Sequence, residues 1–384
     1  MISHKLTAEQ QEYQKLARDF AAREIATHAP RFDQSADFAG DIFAKLWQTG
    51  LANAAVPESL NGLGLSCFDN CLIAEELAYG CSGIAGSVEA SSIAQQFVID
   101  FGSDEQKSKF LSPLIDEACL AGFGMSGGIR SGRVFYRKEG EQFVLSGKHP
   151  AFVNAGIAQW YLVAASGDRR EATGRGREVD SKERFSYFLV GADDDIDFGE
   201  RVPSLGRRAQ VISSARLDEV YLPATALLGT EGDGEHMYRL AITRNYALIA
   251  SGMIGVARSA LEQALKYAKE RMTFGVAIAQ HQAISFMLAD MAKDIEAARL
   301  LVYQAAQLAD QGVVSTTEAV CAKAFAQEMV MRVTTDAVQI FGGYGFSREY
   351  PVEKLMRDAK AYQLFEHTSE GLKVEMGRHL VTAV

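Results

Sequence analysis

The sequence predicts a mainly α fold with a central β-domain, on three observations. Apolar residues recur at helical spacing from residue 6 to about 120, the period shortens to two between about 121 and 232, and the helical period then returns and holds nearly to the end. These breaks predict an N-terminal helical domain over 1–120, a middle β-domain over 121–232 and a C-terminal helical bundle over 233–384. A chain of 384 residues, 48% hydrophobic and 23% charged, has ordinary globular composition and enough length to bury a large core.

Each element follows from local chemistry. Thr7 to Gln10 forms a capping-box pattern, after which Tyr13, Leu16, Ala17, Phe20 and Ile25 mark one buried face. Pro57, Gly62 and Gly64 punctuate a loop, Ser66 is placed to cap a helix that stops near Gly80, and Ser103-Asp104-Glu105-Gln106 repeats the start signal. In the middle, the runs 142–146, 160–164, 185–190 and 215–220 are aromatic or β-branched and bounded by Gly, Pro, Asp and Ser, as antiparallel strands would be. Residues 167–184 hold Asp168, Arg169, Arg170, Arg175, Arg177, Asp180, Lys182 and Arg184 with almost nothing apolar, and read as a surface loop. Further on, Ile249, Met253, Val256, Ala257, Ala260, Leu261 and Ala264 share one helix face, and Ile284, Leu288, Met291, Ile295 and Ala298 another, so long helices must pack together, with an oligomer interface as a natural use of the bundle.

Composition excludes several classes of partner. A formal net charge of -10 without a dense Lys/Arg run argues against nucleic acid or an anionic membrane surface held by bulk electrostatics. The five cysteines, Cys67, Cys71, Cys81, Cys119 and Cys321, contain no CxxC pair and no nearby His, so they read as buried thiols of a reducing compartment and no metal is expected. No uninterrupted apolar stretch of about 18 residues suggests a membrane span, and Met1 to Lys5 lead into a polar amphipathic pattern, so the cytoplasm is the expected location.

The chemistry concentrates near the C-terminus. Gln339-Ile340-Phe341-Gly342-Gly343 leads into a patterned block from Glu349 to Lys360, and Phe365-Glu366-His367-Thr368 follows. A lone Glu is usually a solvated helix residue, but Glu366 falls between two helical patterns, where a base could be presented at a helix break. Upstream, Arg271, Phe274 and Gly275 form Arg-x-x-Phe-Gly, followed by His281 and Gln282. Together these segments resemble the acyl-CoA dehydrogenase family, flavoenzymes that introduce an α,β-double bond into an acyl thioester, and its medium-chain branch most of all. The resemblance covers nearly the whole chain and is closest over the last 120 or so residues.

The resemblance implies an N-terminal helical domain, a middle antiparallel β-barrel-like domain and a C-terminal four-helix bundle, assembled as a homotetramer or homodimer. It implies FAD as cofactor, an acyl-CoA or acyl-carrier-protein thioester as substrate, and electron-transfer flavoprotein or another acceptor as redox partner. Glu366 falls on the family's common base, and its main-chain N–H on one of two donors to the thioester carbonyl. Desolvation by the acyl chain would favour such a base near neutrality. Arg271, Phe274 and Gln282 fall on the motif that meets the FAD of the neighbouring subunit, the guanidinium fork suiting its pyrophosphate. Gln339, Gly342 and Gly343 fall on a second segment that reaches the same cofactor, and Thr368 with Glu370 on the adenine-side pair, Glu370 replacing a more usual Gln. Arg357 and Asp358 read as a structural ion pair.

The middle domain departs from the pattern. Where the family has Thr-Glu-Pro-x-Ala-Gly-Ser-Asp, this chain has Ser126 to Arg133: Ser126 keeps a hydroxyl for the flavin, Gly132 loses one, and Arg133 reverses a charge. Ala151 and Val153 stand where an aromatic residue and a Thr meet the isoalloxazine, so Val153 occupies a cofactor position without its hydrogen bond. Tyr246 replaces an Arg expected to position CoA, and His367 replaces a glycine beside the base, so both are expected to shape the substrate mouth. Gly206 with Arg208 and Val220 with Pro223 keep the alignment in frame. With Arg130, Arg133 and the basic 167–184 loop, these departures point to an unusual acyl group or an acidic carrier protein. The alternatives are a flavin-poor or inactive subunit paired with a related chain, and a flavin oxidase on a non-thioester substrate.

Overall fold

The computed structural model describes residues 5–125, 133–167 and 185–382. Ser126 and Arg130, and residues 168–184 of the basic loop, lie outside the described residues, and for Arg133 only the backbone is described. Five helices come first: α1 (Ala8–Phe20), α2 (Ala29–Ser35), α3 (Gly40–Gln48), α4 (Cys67–Phe101) and α5 (Asp104–Asp116). The capping signals work as local chemistry dictates, with reciprocal bonds at Thr7–Gln10, Ser66–Asp69 and Ser103–Gln106. Helix α4 breaks at Cys81, whose backbone is extended (φ -167°, ψ 114°), so the stop expected near Gly80 is real, but a second helical segment continues to Phe101. At this break Ser82 Oγ donates to Asp358 Oδ2 (2.9 Å).

The strands are β1 (Leu120–Gly124), β2 (Arg133–Glu139), β3 (Gln142–Val153), β4 (Ala158–Gly167), β5 (Phe185–Gly191), β6 (Ile196–Arg201), β7 (Ile212–Pro223) and β8 (Leu227–Leu228). They pair in the order β6-β7-β3-β1-β4-β5-β8, with β2 also between β3 and β4. The expected antiparallel pairing needs one correction: the sheet is mixed, because β1 and β2 each run parallel to β4. The cause is topological. The Asn154–Ile157 turn reverses the chain between β3 and β4, so a strand inserted between them and antiparallel to β3 must be parallel to β4. Successive residues alternate faces: Trp160 and Leu162 face the helices, while Tyr161 and Val163 enter a separate core within the sheet domain.

The rest is helical: α6 (Gly234–Glu270), a small hairpin of β9 (Met272–Thr273) and β10 (Val276–Ala277), then α7 (Gln282–Asp310), α8 (Thr316–Phe341), α9 (Val352–Tyr362) and α10 (Ser369–Thr382). The core joins α4, α6, α7 and α8 with one face of the sheet, so the N-terminal helices and the C-terminal bundle share it. Helix α6 is long and apolar enough to cross a membrane, but 83% of its most apolar window is buried inside the protein, which accounts for its composition. Two smaller expectations change. Cys67, Cys71 and Cys81 are buried, whereas Cys119 and Cys321 are only partly so, and all five are free thiols. Arg357 and Asp358 do not pair with each other: Arg357 binds Asp33 and Glu353, and Asp358 binds Lys354 (2.5 Å), because adjacent helical residues point in different directions.

Candidate active site

Glu366 lies in the turn between α9 and α10, 5% exposed, with φ at +64°. That region is unfavourable for a residue with a Cβ and persists where surrounding contacts enforce it. The contacts come from α8. Lys323 Nζ donates to the carbonyls of Phe365 (3.0 Å) and His367 (3.2 Å), on either side of Glu366, and Gln327 Nε2 donates to the His367 carbonyl (3.2 Å). Residues 323 and 327 are one helical turn apart on the same face, so one rigid element holds the turn. Lys323 is 0% exposed; burial pulls its ammonium down to about 8, against the opposing fields of Glu366, Glu89 and Glu375. Thr368 closes the turn, its Oγ1 accepting from Gly371 N (3.2 Å) at the start of α10.

Beside the base sits a ring cluster. Tyr246 and Tyr238 hydroxyls lie 2.9 and 3.2 Å from His367 Nδ1 and 3.3 Å from each other. The two positions singled out in the sequence, Tyr246 and His367, are therefore brought together, and Tyr238, about two helical turns before Tyr246 on α6, is a partner that sequence reading missed. Tyr246 is only 1% exposed, which corrects its expected direct contact with substrate: it backs His367, which with Tyr238 is the more accessible part of the cluster. Burial raises the Tyr246 phenol well above its ordinary value, and Glu375, a hydrogen-bond partner, adds to this.

On the other side of the turn is a buried ion pair. Arg207 Nη2 donates to Glu89 Oε1 (3.0 Å), and the guanidinium lies over the rings of Tyr362 (4.4 Å) and Phe365 (4.9 Å). Desolvation raises the Glu89 carboxyl, and the Arg207 charge opposes that rise. The sequence held signals for these missed residues. Glu89 is the one charge in the run 83–98, and Lys323 is a lone cation among Ala319, Ala322, Ala326 and Val330 on a buried face. Gly206, kept in frame with the family, has a steric reason: a Cβ there would come within 2.0 Å of the Arg357 carbonyl.

Arg271, Phe274, Gln282, Gln339, Gly342 and Gly343, expected to meet the cofactor, gather at the far end of α8, apart from Thr368 and Glu370, the expected adenine-side pair. Phe274, at the tip of the β9–β10 hairpin, is 98% exposed with φ +49°; Arg271 and Gln282 flank it and are exposed. Gln339, Gly342 and Gly343 are exposed beside them, because Tyr267, whose carbonyl accepts from Arg271 N, stacks on Phe341 at 4.2 Å. Both glycines have open space where a Cβ would stand, and Gly342 has φ +60°. A guanidinium fork, an open peptide edge and a projecting ring suit the paired phosphates and adenine of FAD. Lys323, at the Glu366 turn, and Phe341, at this patch, are separated by 18 helical residues, roughly 27 Å. The patch and the base are therefore at opposite ends of one helix. Thr368 and Glu370 are exposed beside the base. Val153 has no exposed surface and packs in the core with Phe123 and Trp160, so its side chain is not presented to a cofactor as the alignment suggested. Among the described residues no group of three His, Cys, Asp or Glu could hold a metal ion.

Residues 232–381 match the C-terminal domain of acyl-CoA dehydrogenases, and residues 7–118 match the N-terminal domain. A probable acyl-CoA dehydrogenase of Bacillus subtilis (strain 168) is 34% identical over 390 residues, spanning 99% of this chain and 100% of that one. The solved butyryl-CoA dehydrogenase of Megasphaera elsdenii superposes with a TM-score of 0.91 at 32% identity, covering 99% of this chain and 100% of the other. A prolyl acyl carrier protein oxidase also superposes with a TM-score of 0.91, covering 98% and 99%, but at 23% identity the likeness is one of fold. Two domain matches, end-to-end identity with a probable acyl-CoA dehydrogenase and a shared fold place this chain in the acyl-CoA dehydrogenase family, FAD-dependent oxidoreductases acting on CH–CH groups.

Proposed function

We propose that the chain dehydrogenates an acyl thioester with Glu366 as the base. The observation that carries this reading is the held turn: a buried carboxylate in a strained conformation, with the carbonyls on both sides of it fixed by Lys323. Strain enforced by surrounding contacts is characteristic of reactive positions. Glu366 takes the proton from the carbon beside the thioester carbonyl. Its main-chain N–H is placed by the same turn and serves as a donor to that carbonyl as negative charge develops. Bound FAD would supply the acceptor for the β-hydrogen, which leaves as hydride. Arg271, Gln339, Gly342 and Gly343 would hold its phosphate and adenine end, and Thr368 and Glu370 would stand beside it near the base.

The substrate would be an atypical acyl-CoA or an acyl group on a carrier protein. Support comes from the Tyr238–Tyr246–His367 cluster, which replaces a cation where the family meets CoA. The separation along α8 supports a composite site, in which a neighbouring copy in a homodimer or homotetramer supplies Arg271 and the Gly342 segment. Electron-transfer flavoprotein is a fitting acceptor, and the cytoplasm a fitting location. A second reading, a flavin-poor subunit needing a related partner, is favoured by the inaccessibility of Val153.

Anaerobic addition of acyl-CoA and acyl-carrier thioesters to the purified protein tests both. Bleaching of bound flavin is expected, and Glu366→Gln should abolish it with FAD still bound, since the amide keeps the shape and loses the basicity. Bleaching that survives the substitution moves the base elsewhere, and colourless protein from the chain purified alone supports the partner-subunit reading.

A further inference from the structure

The side of the turn away from the Tyr238–Tyr246–His367 cluster ends in a cation with donors to spare. Arg207 is 2% exposed, and its chain is fixed from several directions. Its backbone N–H donates to Asp358 Oδ1 (2.6 Å), its φ is +52°, and its guanidinium lies over the rings of Tyr362 and Phe365. Helix α4 makes room for it: Gly83 and Gly86 precede Glu89 at intervals of three, and a Cβ at Gly86 would lie 2.2 Å from Arg207 Nη2. The backbone, two rings and Gly86 thus build a socket around one guanidinium, while Gly83 makes room for the Arg207 backbone. Yet only Nη2 is used, on Glu89; Nε and Nη1 are buried with no hydrogen-bond partner among the described residues. Burying a donor without an acceptor is costly, so its persistence calls for an acceptor.

The charges near Arg207 decide what kind of acceptor fits. The positive charge of Arg207 is already balanced by Glu89, and the neighbouring Asp358 by Lys354. A carboxylate added here would leave an extra negative charge buried near Glu366 and Glu89, whereas a bare hydrocarbon would leave the donors unmet. A neutral oxygen satisfies a donor without adding charge. Phe365, the ring under the guanidinium, is the residue immediately before the base, which ties the socket to the place where an acyl chain would be worked on.

We propose that Arg207 is a specificity-determining residue that binds an uncharged acceptor oxygen, a hydroxyl or a carbonyl, on the acyl chain beyond the reacting carbons. This rests on the acyl-thioester reading of the same site. Glu89 orients the guanidinium, and Gly86 keeps its socket open.

The test uses FAD-loaded protein and matched acyl groups of four, six and eight carbons, on CoA and on an acyl carrier protein: unsubstituted, bearing a terminal hydroxyl or an oxo group near the end, or ending in carboxylate. Binding is measured by calorimetry on Glu366→Gln protein, and flavin bleaching on the wild type. At one chain length or more, the hydroxyl or oxo thioester should bind about tenfold or more tightly than both its unsubstituted and its carboxylate counterpart. Arg207→Met combined with Glu89→Met, which removes the pair without leaving a lone buried charge, should reverse that preference towards hydrocarbon. Equal binding of all classes by the Glu366→Gln protein, or a preference for hydrocarbon or carboxylate, with the wild type still bleached, overturns the subsite and leaves the dehydrogenase reading intact. Protein to which no thioester binds and whose flavin none bleaches overturns both.

Discussion

Lys323 shows how much one side chain can govern. It holds two carbonyls around Glu366 from inside α8, at a position with no exposed surface. Replacing it by Met removes the donor, leaves those carbonyls to relax or hydrate, and should cost about 1–3 kcal/mol of stability in urea unfolding. Its titration adds a signature. The unfolded ammonium titrates near 10.5 and the folded one near 8, so between these values the unfolded chain binds more protons. Wild type should therefore gain stability relative to Lys323→Met as pH rises from about 8 to 10.5. A difference between the two proteins that stays flat or falls across that window would show that the ammonium is not held as described.

At the scale of elements, the helices are fastened end to side. Asp310, the last residue of α7, accepts from the backbone N–H groups of Cys67 (2.7 Å) and Phe68 (3.0 Å), capping α4 across 243 residues of sequence. A carboxylate at a helix N-terminus satisfies orphan donors and complements the helix dipole. Asp310→Ala should cost about 1–2 kcal/mol, read as a shift in the urea midpoint with unchanged m-value. An unchanged midpoint would mean that Ser66 and Asp69, which cap the same helix from within, suffice alone. The close crossing of α4 on α6 has a steric basis: at Gly255 a Cβ would stand 2.1 Å from the Glu75 carbonyl, so only glycine permits the approach.

At the scale of the whole molecule, the length of α8 supports the proposed assembly, in which two chains complete each site. The base turn lies at one end of the helix and the Arg271–Phe274–Gly342 patch at the other. In the proposed assembly, a chain carrying Glu366→Gln keeps its patch and a chain carrying Arg271→Ala keeps its base. Each should be inactive alone, and the two mixed and reassembled should recover activity through sites built from the intact half of each. Absence of recovery, with mixed oligomers demonstrated by mass, would mean that both halves serve one chain's own site.

The sequence by itself determined what depends on neighbours within about a turn: the helix caps at Thr7, Ser66 and Ser103, the alternating strands and the position of Glu366 between two helices. It also marked Tyr246 and His367 as departures, without indicating that they touch. Only the tertiary structure decided that they share a cluster with Tyr238, 129 residues from His367, that Arg207 meets Glu89 across 118, and that β1 and β2 run parallel to β4. Caps and periodicity act through the chain's own backbone over a few residues and so leave a local mark. A buried ion pair or a strand's neighbour is chosen by desolvation and packing among distant segments, and no short window of sequence contains both partners.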